Sequence, residues 1–181
     1  MPILTKTRLT EITENKLGMR VFNESLSEAR AATKSTASTS VFLSHSHEDR
    51  LLVNKVAVLL RKNGYNVYVD WLDSTMPVTT NAETATKLKQ RIISCKKFVF
   101  IATNDAILSR WCNWELGFGD AQKYLNNIAL FPIAENYGSW NGSEYLNIYP
   151  RIEESNYTSE YYKVIFPSSQ EMSIQEWLNL Q

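Results

Sequence analysis

The chain has no excess of charge: 19 basic side chains face 19 acidic ones across 181 residues. Without a field of one sign, nothing draws it electrostatically to nucleic acid or to an anionic membrane surface. It has only two cysteines, Cys95 and Cys112, too few for the four-ligand spacing of a structural zinc site. With no secretory-type apolar segment near residue 1, both read as reduced thiols of a cytoplasmic protein. No run approaches the roughly 18 apolar residues that a membrane-spanning helix requires. Neither G-x-G-x-x-G nor G-x-x-x-x-G-K-[ST] occurs, so the glycine-built phosphate cradles of dinucleotide folds and P-loops are not indicated. No internal repeat is visible.

What is present suffices for one core. A chain of this length buries roughly 70% of its unfolded surface, and 44% of its residues are apolar. Residues 1–39 are polar, with a weak helical pattern through Phe22, Leu26 and Ala29, and end in "ATKSTASTS"; they read as an N-terminal appendage with a linker. From residue 40 onward, short β-branched and aromatic runs alternate with amphipathic stretches. "SVFLS" precedes a helix whose stripe is Leu52, Val56, Leu59 and Leu60, stopped by Gly64. "YNVYVD", a loop with Pro77, a helix over about 82–94, "KFVFIAT", a further helix and "IALFPIA" follow. Thr80 and Glu83 suit a capping box. "SEYLNIYP" is a candidate fifth strand, and Ile174, Trp177 and Leu178 space a terminal helix. Strands separated by three- or four-turn helices require crossovers, so the sheet is expected to be mostly parallel and covered on both faces.

In such a sheet, ligands bind outside the carboxyl ends of the strands. The first strand-to-helix junction, "SHSHEDR", offers Ser44, His45, Ser46, His47 and Asp49 beside a helix amino end able to hold a phosphate. Ser46 or Asp49 acting simply as a helix cap is an equal reading there. His45 and His47, two apart, point to opposite sides of an extended segment, so a metal site is not expected. The second junction, "VYVDWLDSTMP", carries Asp70, Trp71 and Asp73. The third, "LSRWCNWELG", sets two tryptophans beside Glu115. Trp114, Phe118, Ala121 and Leu125 recur at spacings of 4, 3 and 4, the mark of a buried helix face. Trp111 lies at i,i+4 from Glu115 on a neighbouring line, at the edge of the core. A helix-start glutamate beside a merely packed tryptophan accounts equally for the spacing. The dipole at the helix amino end is expected to keep the carboxylate ionised, suited to stabilising a developing cation.

Together "VFLSHSHEDR", "GYNVYVDWLDSTMP" and "SRWCNWELG" resemble, in order and spacing, the boxes of a bacterial Toll/interleukin-1 receptor (TIR) domain. The likeness is firm over about residues 39–135 and looser beyond. It implies a flavodoxin-like α/β sandwich, mostly parallel and five-stranded, order 2-1-3-4-5, over residues 40–181. Many members cleave the nicotinamide–ribose bond of NAD+, releasing ADP-ribose or a cyclic product that activates a separate effector in antiphage defence. Others only deplete NAD+, and animal members act as TIR–TIR interaction modules. Residue by residue, the resemblance makes Glu115 the catalytic glutamate. It sets Trp111, Ser44, His45, Ser46 and Asp49 around the nucleotide, and Asp70, Trp71 and Asp73 at the start of a loop that closes over the site and makes subunit contacts. That loop, "DWLDSTMPVTT", departs from many relatives in lacking a glycine after the leucine. NAD+ is then substrate rather than cofactor, neither metal nor cofactor is implied, and self-association through TIR surfaces is expected.

Overall fold

The computed structural model of the chain describes residues 3–15, 23, 24, 27, 41–62, 65–73, 76, 81–155 and 162–180. Four strands expected from the sequence form the parallel run at one side of the sheet: β2 (Val41–Ser44), β3 (Val67–Tyr68), β4 (Lys97–Ala102) and β5 (Ile128–Ala134). All pair in parallel, with Val41 opposite both Val67 and Lys97, and Phe98 opposite Ile128. Their burial explains why they lack alternating polarity. Val41, Leu43, Val99, Ile101, Ala129 and Phe131 face one apolar cluster, whereas Phe42, Phe98, Phe100, Ile128 and Leu130 face the other. Successive side chains leave opposite faces of a strand, so a sheet packed on both sides needs apolar residues at every position.

Helices fill both faces. On one lie α1 (Lys6–Thr10), α2 (Arg50–Lys62) and α6 (Ile174–Asn179), through Leu9, Val53, Val56, Leu60, Ile174 and Trp177. The other is covered by α3 (Ala82–Ser94), α4 (Asn104–Leu108) and α5 (Arg110–Gln122), through Leu88, Ile92, Ala106, Cys112 and Leu116. Among the described residues, no helix is long and apolar enough to cross a membrane.

Several details differ from the sequence expectations. The fifth parallel strand is not in "SEYLNIYP", where Glu144–Ile148 form a 3-10 turn, but at β6 (Arg151–Glu154), just after Pro150. Pro150 retains its carbonyl and accepts from the Leu130 amide at 2.8 Å, steering the chain into the sheet. Two antiparallel strands follow, β7 (Tyr162–Ile165) and β8 (Glu171–Ser173), so the sheet is mixed. Its order is β3-β2-β4-β5-β6-β7-β8, with β1 (Leu4–Thr5) paired to β5. α3 is capped by Asn81 with Thr84 rather than by Thr80 with Glu83: the Asn81 side chain accepts from the Thr84 amide at 3.0 Å. Glu83 pairs instead with Lys87 one turn on, at 2.9 Å. Gly64, Pro77 and Thr80 lie outside the described residues, as do Phe22, Leu26, Ala29 and the segment 31–40.

Within the region read as an appendage, residues 4–15 belong to the body of the fold. β1 pairs in parallel with the end of β5, Leu4 opposite Ile133, and Leu9 is fully buried against the α2 side of the core. The Arg8 guanidinium reaches Glu154 on β6 at 2.7 Å, and Lys55 on α2 donates to Thr10 at 2.7 Å. Leu4, Leu9 and Ile12 do not share one period because a strand, a helix and a wider turn follow one another within twelve residues. Periodicity therefore has nothing to register. Since Leu9 has no exposure to lose, Leu9→Ala is expected to cost about 2–4 kcal/mol through lost burial and a residual cavity. Urea unfolding measures it; a cost below about 0.5 kcal/mol would detach the arm from the core.

Candidate functional site

The carboxyl ends of β2 and β3 and the start of α5 enclose a cavity of about 680 Å³, within the range of small-molecule sites. Its lining includes His45, Ser46, His47, Glu48 and Arg50 after β2; Asp70, Trp71, Asp73 and Met76 after β3; and Ser109, Trp111 and Cys112 on the third side. The three junctions singled out in the sequence therefore meet at one place. Thr84 of α3 completes the wall.

The start of α5 is fixed locally. Ser109 ends α4 and caps α5, its hydroxyl accepting from the Cys112 amide at 3.3 Å. Asn113 donates its amide to the carbonyls of Ile107 and Ser109, at 2.8 and 2.9 Å, clamping the turn between the helices. The buried face of α5 is Cys112, Glu115, Leu116 and Gly119, not the Trp114, Phe118, Ala121, Leu125 stripe that spacing suggests. Ala121 and Leu125 are exposed. Trp111, Trp114 and Phe118 form a half-buried stacked ladder on the flank, with ring centroids 4.9 and 6.0 Å apart and Lys89 over the last two. Gly119 sits inward because an added Cβ there would lie 3.1 Å from the Phe98 ring. The aromatic residues imitate a core stripe because a ladder along a helix flank has the same period as a core.

Glu115 is thus turned into the protein, only 3% exposed. Its carboxyl accepts the Ser44 hydroxyl at 2.6 Å, tying α5 to the last residue of β2. Burial pushes this carboxyl up to about 8, the nearby Asp70 charge adding to the effect, while hydrogen bonds from Ser44 and Trp111 oppose it. The expected ionised carboxylate is therefore corrected to a group largely neutral at neutral pH. Glu115 is the sixth residue of α5, beyond the first turn where the dipole acts, and desolvation dominates.

The other expected site residues divide. His45 is buried, its Nδ1 3.0 Å from the Leu43 carbonyl and its Nε2 3.4 Å from Asp70, whereas His47 is exposed. Asp70 also accepts the Trp71 amide at 2.7 Å. Ser46 caps the turn His47–Asp49, weakly accepting from the Glu48 amide at 3.4 Å. Asp49 is neither cap nor lining residue: it accepts the Thr103 hydroxyl at 2.6 Å, tying this turn to the end of β4, and burial raises its carboxyl. Asp73 borders the cavity but is occupied by Tyr68 at 3.0 Å and Arg91 at 2.9 Å. Of the loop beyond it, residues 74, 75 and 77–80 lie outside the described residues. Reading by motif missed Arg50, Ser109 and Cys112. A helix-opening arginine and a cap directly before the "RWCNWE" run were the available signals.

Comparison with known proteins assigns the chain to a family. A family model described as "TIR domain" matches residues 41–157. A protein of Bacillus cereus (strain MSX-D12) called "Probable 3' cyclic ADP-D-ribose synthase ThsB'" is 32% identical over 145 residues, covering 76% of this chain and 74% of its own. A protein of Cytobacillus dafuensis called "Putative cyclic ADP-D-ribose synthase TIR2" is 31% identical over 99 residues, 52% of this chain but 26% of its own length.

The raised Glu115 carboxyl has a stability signature. An unfolded glutamate ionises near its ordinary 4.5, the folded one only near 8, so between these values the native state holds the extra proton. Stability contributed this way is present below about pH 4.5 and is lost as pH rises to about 8. Melting temperatures across this window are expected to fall more steeply for the parent than for Glu115→Gln; parallel profiles would place the carboxyl in water.

Proposed function

The chain belongs to the TIR domain family, and from that premise we propose that it cleaves the nicotinamide–ribose bond of NAD+. In the same reading it closes the ADP-ribose into a cyclic signal that a separate effector senses in antiphage defence, in the cytoplasm. The observation that carries the reading is the position of Glu115. A buried carboxyl is held by Ser44 and by the indole of Trp111, and Trp111 and Ser44's neighbour His45 line a cavity of nucleotide size, Glu115 itself not being among the lining residues.

The chemistry asks little else of the protein. The C–N bond breaks with its electron pair leaving on the pyridine nitrogen, which becomes neutral, so nicotinamide departs without general-acid help. The positive charge passes to the ribosyl carbon and ring oxygen, and the need is for a negative partner in a water-poor site. A pyridinium brought beside Glu115 favours its ionised form, because an opposite charge lowers a carboxyl that burial alone had raised. The carboxylate then accepts hydrogen bonds from the ribose hydroxyls and stabilises the cation. His45, Ser46, Asp70 and Trp71 surround the nucleotide, with backbone amides after β2 on its phosphates. Capture of the cation by water releases a proton and gives linear ADP-ribose. Capture by a nucleophile within the same molecule gives the ring, and requires that group nearby with water kept out. Trp111, half-buried and stacked on Trp114, supplies such an apolar wall. Contacts between copies through the loop beginning at Asp70 belong to the same proposal, and specific activity that rises with protein concentration is their mark.

Glu115→Gln keeps the shape and the Ser44 hydrogen bond but removes the charge. Turnover of NAD+ is expected to fall roughly a hundredfold or more; a folded variant within about threefold of the parent would end the assignment. Trp111→Ala is expected to lower cyclic product more than linear product, read by chromatography alongside a melting curve. An unchanged ratio with a large loss of stability would leave Trp111 a packing residue. A parent that makes only ADP-ribose would reduce the activity to hydrolysis, and one that consumes no NAD+ would favour an interaction module.

A further inference from the structure

We propose that Arg50 is the anion-binding side chain of this cavity, taking the pyrophosphate of the dinucleotide alongside the backbone amides after β2 while Trp71 holds its guanidinium in place. The inference rests on the reading of the cavity as a dinucleotide site. Among the described residues that line the cavity, Arg50 is the one side chain with a permanent positive charge. It opens α2 at the cavity mouth and is exposed. No carboxylate among the described residues lies within ion-pair distance of it, whereas Arg91 nearby is spent on Asp73.

Arg50 is positioned without being neutralised. Its guanidinium carbon lies 5.8 Å from the centre of the Trp71 ring, so an aromatic face rather than an anion steadies the group. Trp71 is in turn held by a chain of polar contacts: its amide donates to Asp70, Asp70 meets His45 Nε2, and His45 Nδ1 is seated on the Leu43 carbonyl of β2. These contacts run around the cavity mouth from the end of β2, across the turn after β3, and back to the start of α2. A guanidinium steadied by an aromatic ring still has N–H donors to offer, and their fork geometry matches two oxygens of a phosphate. Asp70, the carboxylate on this path, is already oriented by its two partners. The indole Nε1 of Trp71 is itself buried without a hydrogen-bond partner among the described residues, so Trp71 contributes its face to this arrangement.

The charge and the packing of Arg50 are separable. Calorimetric titration with ADP-ribose is expected to give Arg50→Gln at least tenfold weaker affinity than the parent, with Arg50→Lys recovering part of the loss. The parent's affinity is expected to fall more steeply with added salt than that of Arg50→Gln, because an exposed charge contact is screened. With NAD+, Arg50→Gln is expected to raise KM by tenfold or more and to leave kcat the less affected of the two. Affinity of Arg50→Gln within twofold of the parent would overturn the assignment, as would a parent that does not bind ADP-ribose. A lysine variant no better than glutamine, with no salt dependence in the parent, would overturn it as well. A parent that binds ADP-ribose through Arg50 yet cleaves no NAD+ would overturn the proposed activity and leave this assignment standing.

Discussion

The contact between the Ser44 hydroxyl and the Glu115 carboxyl, 2.6 Å long and buried, joins the end of β2 to the inner face of a helix 71 residues later. Burying an unpaired carboxyl is costly, and a neutral one with a hydroxyl partner is much less so. The contact therefore allows a polar group to occupy a face that apolar packing would otherwise fill. Everything around it serves to keep that group dry and aimed. Cys112 and Leu116 pack beside it, Gly119 lets the helix come down on Phe98, and Asn113 with Ser109 fixes where the helix begins. A raised carboxyl is the consequence of this arrangement.

The same logic separates three aspartates that the sequence sets at the first two strand-to-helix junctions. Asp73 and Asp49 are used up structurally, one by Arg91 and Tyr68, the other by Thr103, and each ties two elements together. Asp70 is oriented by His45 and by its neighbour's amide, and its charge reaches Glu115. Three aspartates of similar standing in the sequence thus carry different duties. What distinguishes them is the partner each meets from another part of the chain.

That distinction marks what the sequence could disclose. The strands β2 to β5, the stripe of α2 and the terminal helix with Ile174, Trp177 and Leu178 buried were all legible, because burial on two faces or on one stripe leaves a recognisable pattern. The meeting of three junctions followed from parallel strands ending on one side. The inward turn of Glu115 did not follow, since the aromatic ladder of Trp111, Trp114 and Phe118 carries the period a core would carry. Residues 4–15 and the β7–β8 hairpin were also hidden. Their strands are two to four residues long, and β1 takes its partner from the distant β5, so too little of a period accumulates to register.

On the proposed reading, a buried neutral carboxyl and an exposed arginine would divide the work that binding a charged dinucleotide requires. The pyrophosphate carries its negative charge in every state of the reaction, so a contact to it strengthens ground and transition states alike and serves affinity. The ribosyl cation exists only as the bond breaks, and a group that is costly to ionise without a cation beside it discriminates in favour of that moment. Desolvation raises the energy of the Glu115 carboxylate in the free protein, and the positive charge of the substrate and of the cation derived from it offsets that cost. On that reading, an affinity contact on the exposed Arg50 and a discriminating one on the buried Glu115 would not neutralise each other. An arginine within reach of Glu115 would form an ion pair, lower the carboxyl and remove the preference for the cation. The aromatic seat on Trp71 holds the arginine at the mouth without introducing a second carboxylate to bind it.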